Sequence, residues 1–222
     1  MPSRGLGRSA WVFIATVCAA GSILFAGDAA AQCSARYDLQ PAARNGSPDL
    51  VRPHATAPGL PTWKTITLGT FATSLGLRNA LDAAGCGVGD LAEEALARRD
   101  FAVHAARADV DLVAISAAEL GVADDTASLA DIYLRAEKLG LRMVPAEAGP
   151  QLRLQYPDQP VGEFLHVAMT PIKTWEGDEV LFVVANGGAG LILIGEIADA
   201  HARIPAAARF LFLRPHAIAH NE

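Results

Sequence analysis

Residues 164–214 read FLHVAMTPIKTWEGDEVLFVVANGGAGLILIGEIADAHARIPAAARFLFLR, and this stretch determines the expected fold class. It contains four runs of β-forming residues that follow one another with turn residues between them and no helical interval. The runs span residues 164–170, 180–185, 191–197 and 209–214. Consecutive strands at the end of a chain predict a C-terminal, mostly antiparallel sheet.

The residues before this stretch have a different pattern, because helical and strand-like segments alternate. Apolar residues at helical spacing, preceded by capping residues, predict helices over residues 73–84, 90–97 and 129–139. Strand-like runs occupy residues 63–68, 101–106, 110–116 and 141–144. Early helices and late consecutive strands together indicate one α+β domain, which we place at residues 62–216 with a tail at 217–222.

The first 31 residues have the order of parts that a secretory signal peptide requires. Arg4 and Arg8 precede an apolar run over 11–25, and the small residues 29–31 follow it. The run is shorter than the roughly 20 residues that a membrane-spanning helix needs. We therefore expect cleavage after residue 31 and no membrane span afterwards, with an uncleaved N-terminal anchor as the alternative. Residues 32–61 hold five prolines and are expected to be a disordered lead.

The charge of the chain argues against some partners, and its export bears on the state of its cysteines. The full chain has a formal net charge of −6 and no cluster of Lys and Arg, which argues against nucleic acid and anionic membrane surfaces as partners. After loss of the signal peptide two cysteines remain, Cys33 and Cys86, and export makes a disulfide between them possible. No histidine lies near either cysteine at ligand spacing, so we expect no metal site, and no motif predicts a cofactor.

The segment PAEAGPQLRLQYPDQPVG, residues 145–162, is the candidate ligand-binding region. If residues 147–156 are helical, one glutamate and two glutamines fall four residues apart on one face, and an arginine on another side is free to reach a nearby carboxylate. The candidate residues are Glu147, Gln151, Arg153, Gln155, Tyr156, Asp158 and Glu163. These side chains could hold a polar ligand such as a sugar or a peptide, or they could satisfy the backbone of neighbouring loops.

The same region carries a resemblance to known proteins. LADIYLRA at 129–136, LGL at 139–141, PAE at 145–147, GPQLRLQY at 149–156 and DQP at 158–160 together resemble a family of uncharacterised bacterial proteins. That family shares the block LADIYxRAxxLGLxxxPAExGPQLRLQYxDQP, and the likeness extends from residue 63 to residue 215. This chain departs from the pattern in its export signal and proline-rich lead. The resemblance implies a domain boundary and carries no activity.

Two classes of function remain open at this point. We expect a non-catalytic periplasmic domain that binds a small polar ligand or an envelope protein, or that has a structural role there. The alternative is a cell-envelope hydrolase that uses a carboxylate pair drawn from Glu147, Asp158 and Glu163. The sequence contains no G-x-S-x-G or H-E-x-x-H motif, and His104 and His166 are expected to be ordinary polar side chains of strands.

Overall fold

A computed structural model describes residues 60–214. The predicted signal peptide, nearly all of the proline-rich lead, Cys33 and the tail at 217–222 lie outside the described residues. Within them the chain forms helices α1 (Ser74–Ala83), α2 (Asp90–Ala97), α3 (Leu129–Lys138) and α4 (Ala148–Gln155). The strands are β1 (Lys64–Leu68), β2 (Gly87–Val88), β3 (Ala108–Ser116), β4 (Thr126–Ser128), β5 (Phe164–Val167), β6 (Ile172–Lys173), β7 (Glu179–Asn186), β8 (Leu191–Ile197), β9 (Arg203–Pro205) and β10 (Arg209–Leu213).

The strands form one large sheet and one small one. The large sheet has the order β1-β3-β10-β5-β7-β8-β2, and β6 pairs with β7 beside this path. Most neighbours are antiparallel, whereas β10 with β5 and β2 with β8 are parallel. The small sheet is the antiparallel pair β4 and β9. The helices come early and most of the sheet comes late, so the predicted α+β fold is confirmed.

Helices cover both faces of the large sheet. On the first face α4 lies so close to β7 that a Cβ on Gly149 would be 3.0 Å from the Phe182 ring, and α2 packs directly against the backbone of β8 at Gly195. On the second face the Tyr133 ring of α3 packs edge-on against Phe210 and Phe212 of β10. Because side chains alternate along a strand, β10 contributes to the core on both sides.

The helix boundaries follow from local capping chemistry. Thr73 caps α1 by accepting a hydrogen bond from the Gly76 amide, and Ser128 caps α3 in the same way from the Asp131 amide. Gly85, with φ 70°, follows the end of α1, as expected where the chain must turn left-handed. The predicted helix over residues 90–97 is present as α2, with Asp90 as its first helical residue and Gly89 as its cap.

Two predicted strands are absent, and four short ones were missed. Residues 101–106 form an irregular segment, and only Phe101 and Val103 among them are β-formers. Residues 141–144 make only a bridge from Arg142 to Leu213, because β10 is already paired on both sides by β3 and β5. The missed strands β2, β4, β6 and β9 have two or three residues each, which is too short for a period-two pattern to stand out.

No helix among residues 60–214 is long and apolar enough to cross a membrane.

Candidate functional site

The predicted polar face of α4 exists, and its members are bonded to each other. The Gln151 amide donates to Glu147 Oε1 at 2.9 Å, and the Gln155 amide donates to Gln151 Oε1 at 3.1 Å. We call these three residues the α4 polar ladder. It runs along the side of the helix that contacts β1 and the two loops next to it, so its surroundings are protein.

Glu147 is fully buried and ties three segments of the chain together. Its carboxylate accepts hydrogen bonds from the Gly69 amide at 2.8 Å, the His104 amide at 2.7 Å and the Gln151 side chain at 2.9 Å. The His104 ring nitrogen Nδ1 lies 2.9 Å away as well. Burial alone would raise the pKa of Glu147, but these hydrogen bonds outweigh it and lower the pKa. Glu147 therefore stays ionised and anchors the backbone.

Gln155 covers the open edge of the sheet. Strand β1 pairs with β3 on one side only, and on its other side Thr67 donates its amide to Gln155 Oε1 and accepts from Gln155 Nε2, both at 2.9 Å. At Thr67 the side-chain amide thus takes the place of a neighbouring strand. Unpaired edge strands invite pairing with other chains, so the end of the ladder protects this edge.

Arg153 is also fully buried, and it does not reach the carboxylates expected for it. Its guanidinium donates to the side chain of Gln159, to the Tyr156 carbonyl and, at 3.2 Å, to the Ala185 carbonyl. Burial lowers the pKa of Arg153 to about 10, so the group is still charged at neutral pH. Arg153 holds the loop after α4 against the end of β7.

The last three predicted residues lie in the loop beyond α4 or at its end. The Tyr156 ring packs edge-on against Trp63, and burial, followed by the neighbouring Glu163 carboxylate, raises the pKa of Tyr156 to about 12. Asp158 is exposed. Glu163 forms an ion pair with Arg209 at 2.9 Å. The three carboxylates proposed for a hydrolase pair therefore occupy three different environments.

Glu163 lines a groove that was not predicted from the sequence. The groove has a volume of about 770 Å³ and is open to solvent. It is lined by the loop at 160–164, by His166, by Glu196 and by the segments 202–205 and 207–209. We call it the His166 groove. Its rim includes the exposed apolar side chains of Val161 and Phe164, so polar and apolar surfaces face the same space.

His166 lies on strand β5 and connects to both sides of the groove. Its Nε2 atom is 3.1 Å from Glu196 Oε2 on β8, and its Nδ1 atom is 3.3 Å from the Arg209 carbonyl on β10. The ring also stacks on Phe210 with 4.9 Å between centroids. The hydrogen bond from His166 is the main reason why the pKa of Glu196 is lowered.

A second groove, of about 850 Å³, lies beside α3. Its lining includes the side chains of Tyr133, Leu141 and Met143 and two charged residues, Glu137 and Arg142. The His166 groove gathers more charged groups, since it combines an imidazole, two carboxylates and two guanidiniums with an apolar rim, which is the mixture typical of a site for a polar small molecule. No group of three or more potential metal ligands occurs within residues 60–214.

No family model, curated protein or solved structure matches this chain. The resemblance carried by residues 129–160 therefore stays a prediction.

Cys86, one of the two cysteines of the possible disulfide, is a buried residue. Cys86 is 5% exposed and is disulfide-bonded. Cys33 lies outside the described residues, so the pairing of Cys33 with Cys86 stays a prediction.

Proposed function

We propose that this protein is an exported, non-catalytic binding domain whose His166 groove holds a small polar ligand. The observation that carries the proposal is the concentration of charged side chains in one open groove. His166, Glu163, Glu196, Arg203 and Arg209 all line it. Charged side chains gathered beside exposed apolar surface in a concave site are a feature of ligand-binding sites.

The use of the other polar residues supports placing the ligand in the groove rather than on α4. The α4 polar ladder and Arg153 are occupied by bonds to backbone and to each other. A ligand on α4 would have to displace those bonds and leave buried groups unpaired, at a cost of about 1–3 kcal/mol for each group. In the groove, by contrast, the Glu196 side chain is 54% exposed, so a ligand can reach it from solvent.

The hydrolase alternative has less support. A glycoside hydrolase needs one carboxylic acid that stays protonated through a raised pKa. Glu147 and Glu196 have lowered pKa values instead, and Glu163 is paired with Arg209. Glu147 and Glu196 therefore favour the ionised form, which is the opposite of what a general acid needs.

Export rests on the sequence of residues 1–31 and can be tested directly. When the full chain is expressed in a Gram-negative host, we expect the periplasmic fraction to contain a protein that begins at Gln32. N-terminal sequencing or intact mass measurement identifies the start. A variant that lacks residues 2–31 should stay in the cytoplasm. Recovery of the uncut chain in the membrane fraction would favour the anchor alternative.

The groove can be tested by filling it. Ala207 is exposed and lines the groove, whereas Ala83 is exposed on α1 and does not. We expect Ala207→Trp to abolish ligand binding, and the matched control Ala83→Trp to leave it unchanged. The free energy of unfolding of both variants should lie within about 0.5 kcal/mol of that of the parent protein, because neither change touches the core.

The measurement is a thermal-shift screen of the protein with amino acids, dipeptides and mono- and disaccharides as probes. A probe at about one hundred times its Kd stabilises the folded state by about 2.7 kcal/mol, which raises Tm by several degrees. A probe that shifts the parent and Ala83→Trp but not Ala207→Trp supports the proposal. Equal shifts for all three proteins, or no shift with any probe, would contradict it.

A further inference from the structure

The two contacts of the His166 ring place a requirement on its protonation. Nε2 faces the carboxylate of Glu196 and Nδ1 faces the backbone carbonyl of Arg209. Both partners accept hydrogen bonds and neither can donate one. A neutral imidazole has a single N–H, whereas the imidazolium has two. The observed geometry therefore satisfies both contacts only when His166 is protonated.

The contact with Glu196 spans the floor of the groove. His166 is on β5 and Glu196 is on β8, with β7 between them in the sheet. The His166 side chain is 15% exposed, whereas that of Glu196 is 54% exposed. Glu196 thus keeps contact with solvent in the groove while its charge is compensated by a cation from the protein itself.

The other charged groups that face this part of the groove are held more firmly. Arg209 is paired with Glu163, whose side chain is only 14% exposed. Arg203 donates from Nε to the Thr126 hydroxyl at 2.9 Å and from Nη2 to the Thr126 carbonyl at 3.1 Å. Glu196 differs from them because its partner is an imidazole, which carries a positive charge only when both ring nitrogens bear a hydrogen.

We infer that the groove binds the cationic group of its ligand, an amine or a guanidinium, at Glu196 in exchange for the proton of His166. A ligand with a cation joined to an apolar body fits best, because Val161 and Phe164 expose apolar surface at the rim. Binding is then linked to pH. A protonated His166 competes with the ligand for Glu196, and a neutral His166 leaves the carboxylate to the ligand. This inference rests on the proposed function of the groove.

The test uses three probes that differ mainly in charge: phenethylamine, its neutral N-acetyl derivative and the anion 3-phenylpropionate. Binding to the full chain is measured by calorimetry from pH 5.5 to pH 8. We expect phenethylamine to bind about fivefold more tightly at pH 8 than at pH 5.5, the fold-change that corresponds to one solvent-exposed ion pair. The His166 ring signals in NMR should shift toward the neutral form when phenethylamine is added near pH 6.

Three variants distinguish this exchange at His166 and Glu196 from a nonspecific attraction of the cation to the negatively charged protein. His166→Gln should bind phenethylamine equally well at both pH values, because the competing proton is gone. Glu196→Gln should lose binding at both. Glu179→Gln on β7, outside the groove lining, should behave like the parent protein.

The outcomes also separate this inference from the proposed function. Tighter binding of 3-phenylpropionate at low pH, or phenethylamine binding that does not depend on pH in the parent protein, would overturn the exchange while the groove remains a binding site. If the parent protein binds none of the three probes, the exchange is rejected. If Ala207→Trp binds the probes as the parent does, the groove is rejected as well.

Discussion

Replacement of Glu147 by alanine is expected to lower the free energy of unfolding by about 3–5 kcal/mol, the range for breaking a buried charged interaction. The reason is the number of buried donors that would lose their acceptor. The Gly69 amide, the His104 amide and the Gln151 side chain all donate to this one carboxylate. For a domain of this size such a loss lowers Tm by about 10 °C.

The control for this experiment is Glu137→Ala. Glu137 is exposed on α3, so its removal should change stability by no more than about 0.5 kcal/mol. Both variants are compared with the parent protein by urea unfolding at pH 7. A loss below about 1 kcal/mol for Glu147→Ala would mean that the loops at Gly69 and His104 do not depend on the carboxylate, and the α4 face would again be a candidate binding surface.

The same residue predicts how the protein responds to acid. The pKa of Glu147 is lowered in the folded state, below the value of about 4.3 for an unperturbed glutamate. Its contribution to stability is therefore complete above that value and is lost as the pH falls through the lower pKa of the folded state. Glu147→Gln should be less stable than the parent protein at pH 7, with a smaller difference at pH 3.

The spacing of Glu147, Gln151 and Gln155 correctly predicted that they share one helical face. It could not indicate what lies opposite. The partner segments are the turn at Gly69 and the irregular residues 101–106, and the latter were predicted to be a strand. At Gly69, where φ is 67°, a Cβ would lie 2.1 Å from the Ala106 carbonyl oxygen. Such a close approach of two loops is set by tertiary packing and leaves no periodic signal in the sequence.

The His166 groove was missed for a related reason. Its lining comes from two stretches that are separated in the sequence, residues 160–166 and residues 196–209. One local signal did exist, since His166 lies between Leu165 and Val167, which are both buried. Alternation places it on the opposite face of the sheet from those two. The presence of Glu196 on that face depends on the strand order, which the sequence left undetermined.

The second large effect is expected at Gln159, which connects buried Arg153 to the wall of the groove. Gln159 is 3% exposed. Its side-chain oxygen accepts from Arg153, and its side-chain amide donates to the Val184 carbonyl at 3.0 Å and to the Glu163 carbonyl at 3.2 Å. The Arg153 Nε atom is buried and has no hydrogen-bond partner within residues 60–214. The Arg153 guanidinium therefore depends on three acceptors, which are the Gln159 side chain and the carbonyls of Tyr156 and Ala185.

Gln159→Leu is expected to destabilise the protein by about 3–5 kcal/mol, because it leaves a buried guanidinium without its side-chain acceptor. If that charge is the cause, its removal should restore part of the loss, so the double variant Arg153→Met with Gln159→Leu should be more stable than Gln159→Leu alone. Chemical unfolding of both single variants and the double variant gives the coupling energy. A double variant less stable than both single variants would show that the loss of the carbonyl partners of Gln159 matters more than the uncompensated charge of Arg153.

The Gln159 side chain also donates a hydrogen bond to the Glu163 carbonyl, and Glu163 lines the His166 groove. Gln159→Leu should therefore weaken probe binding in the groove as well, whereas Glu137→Ala should not.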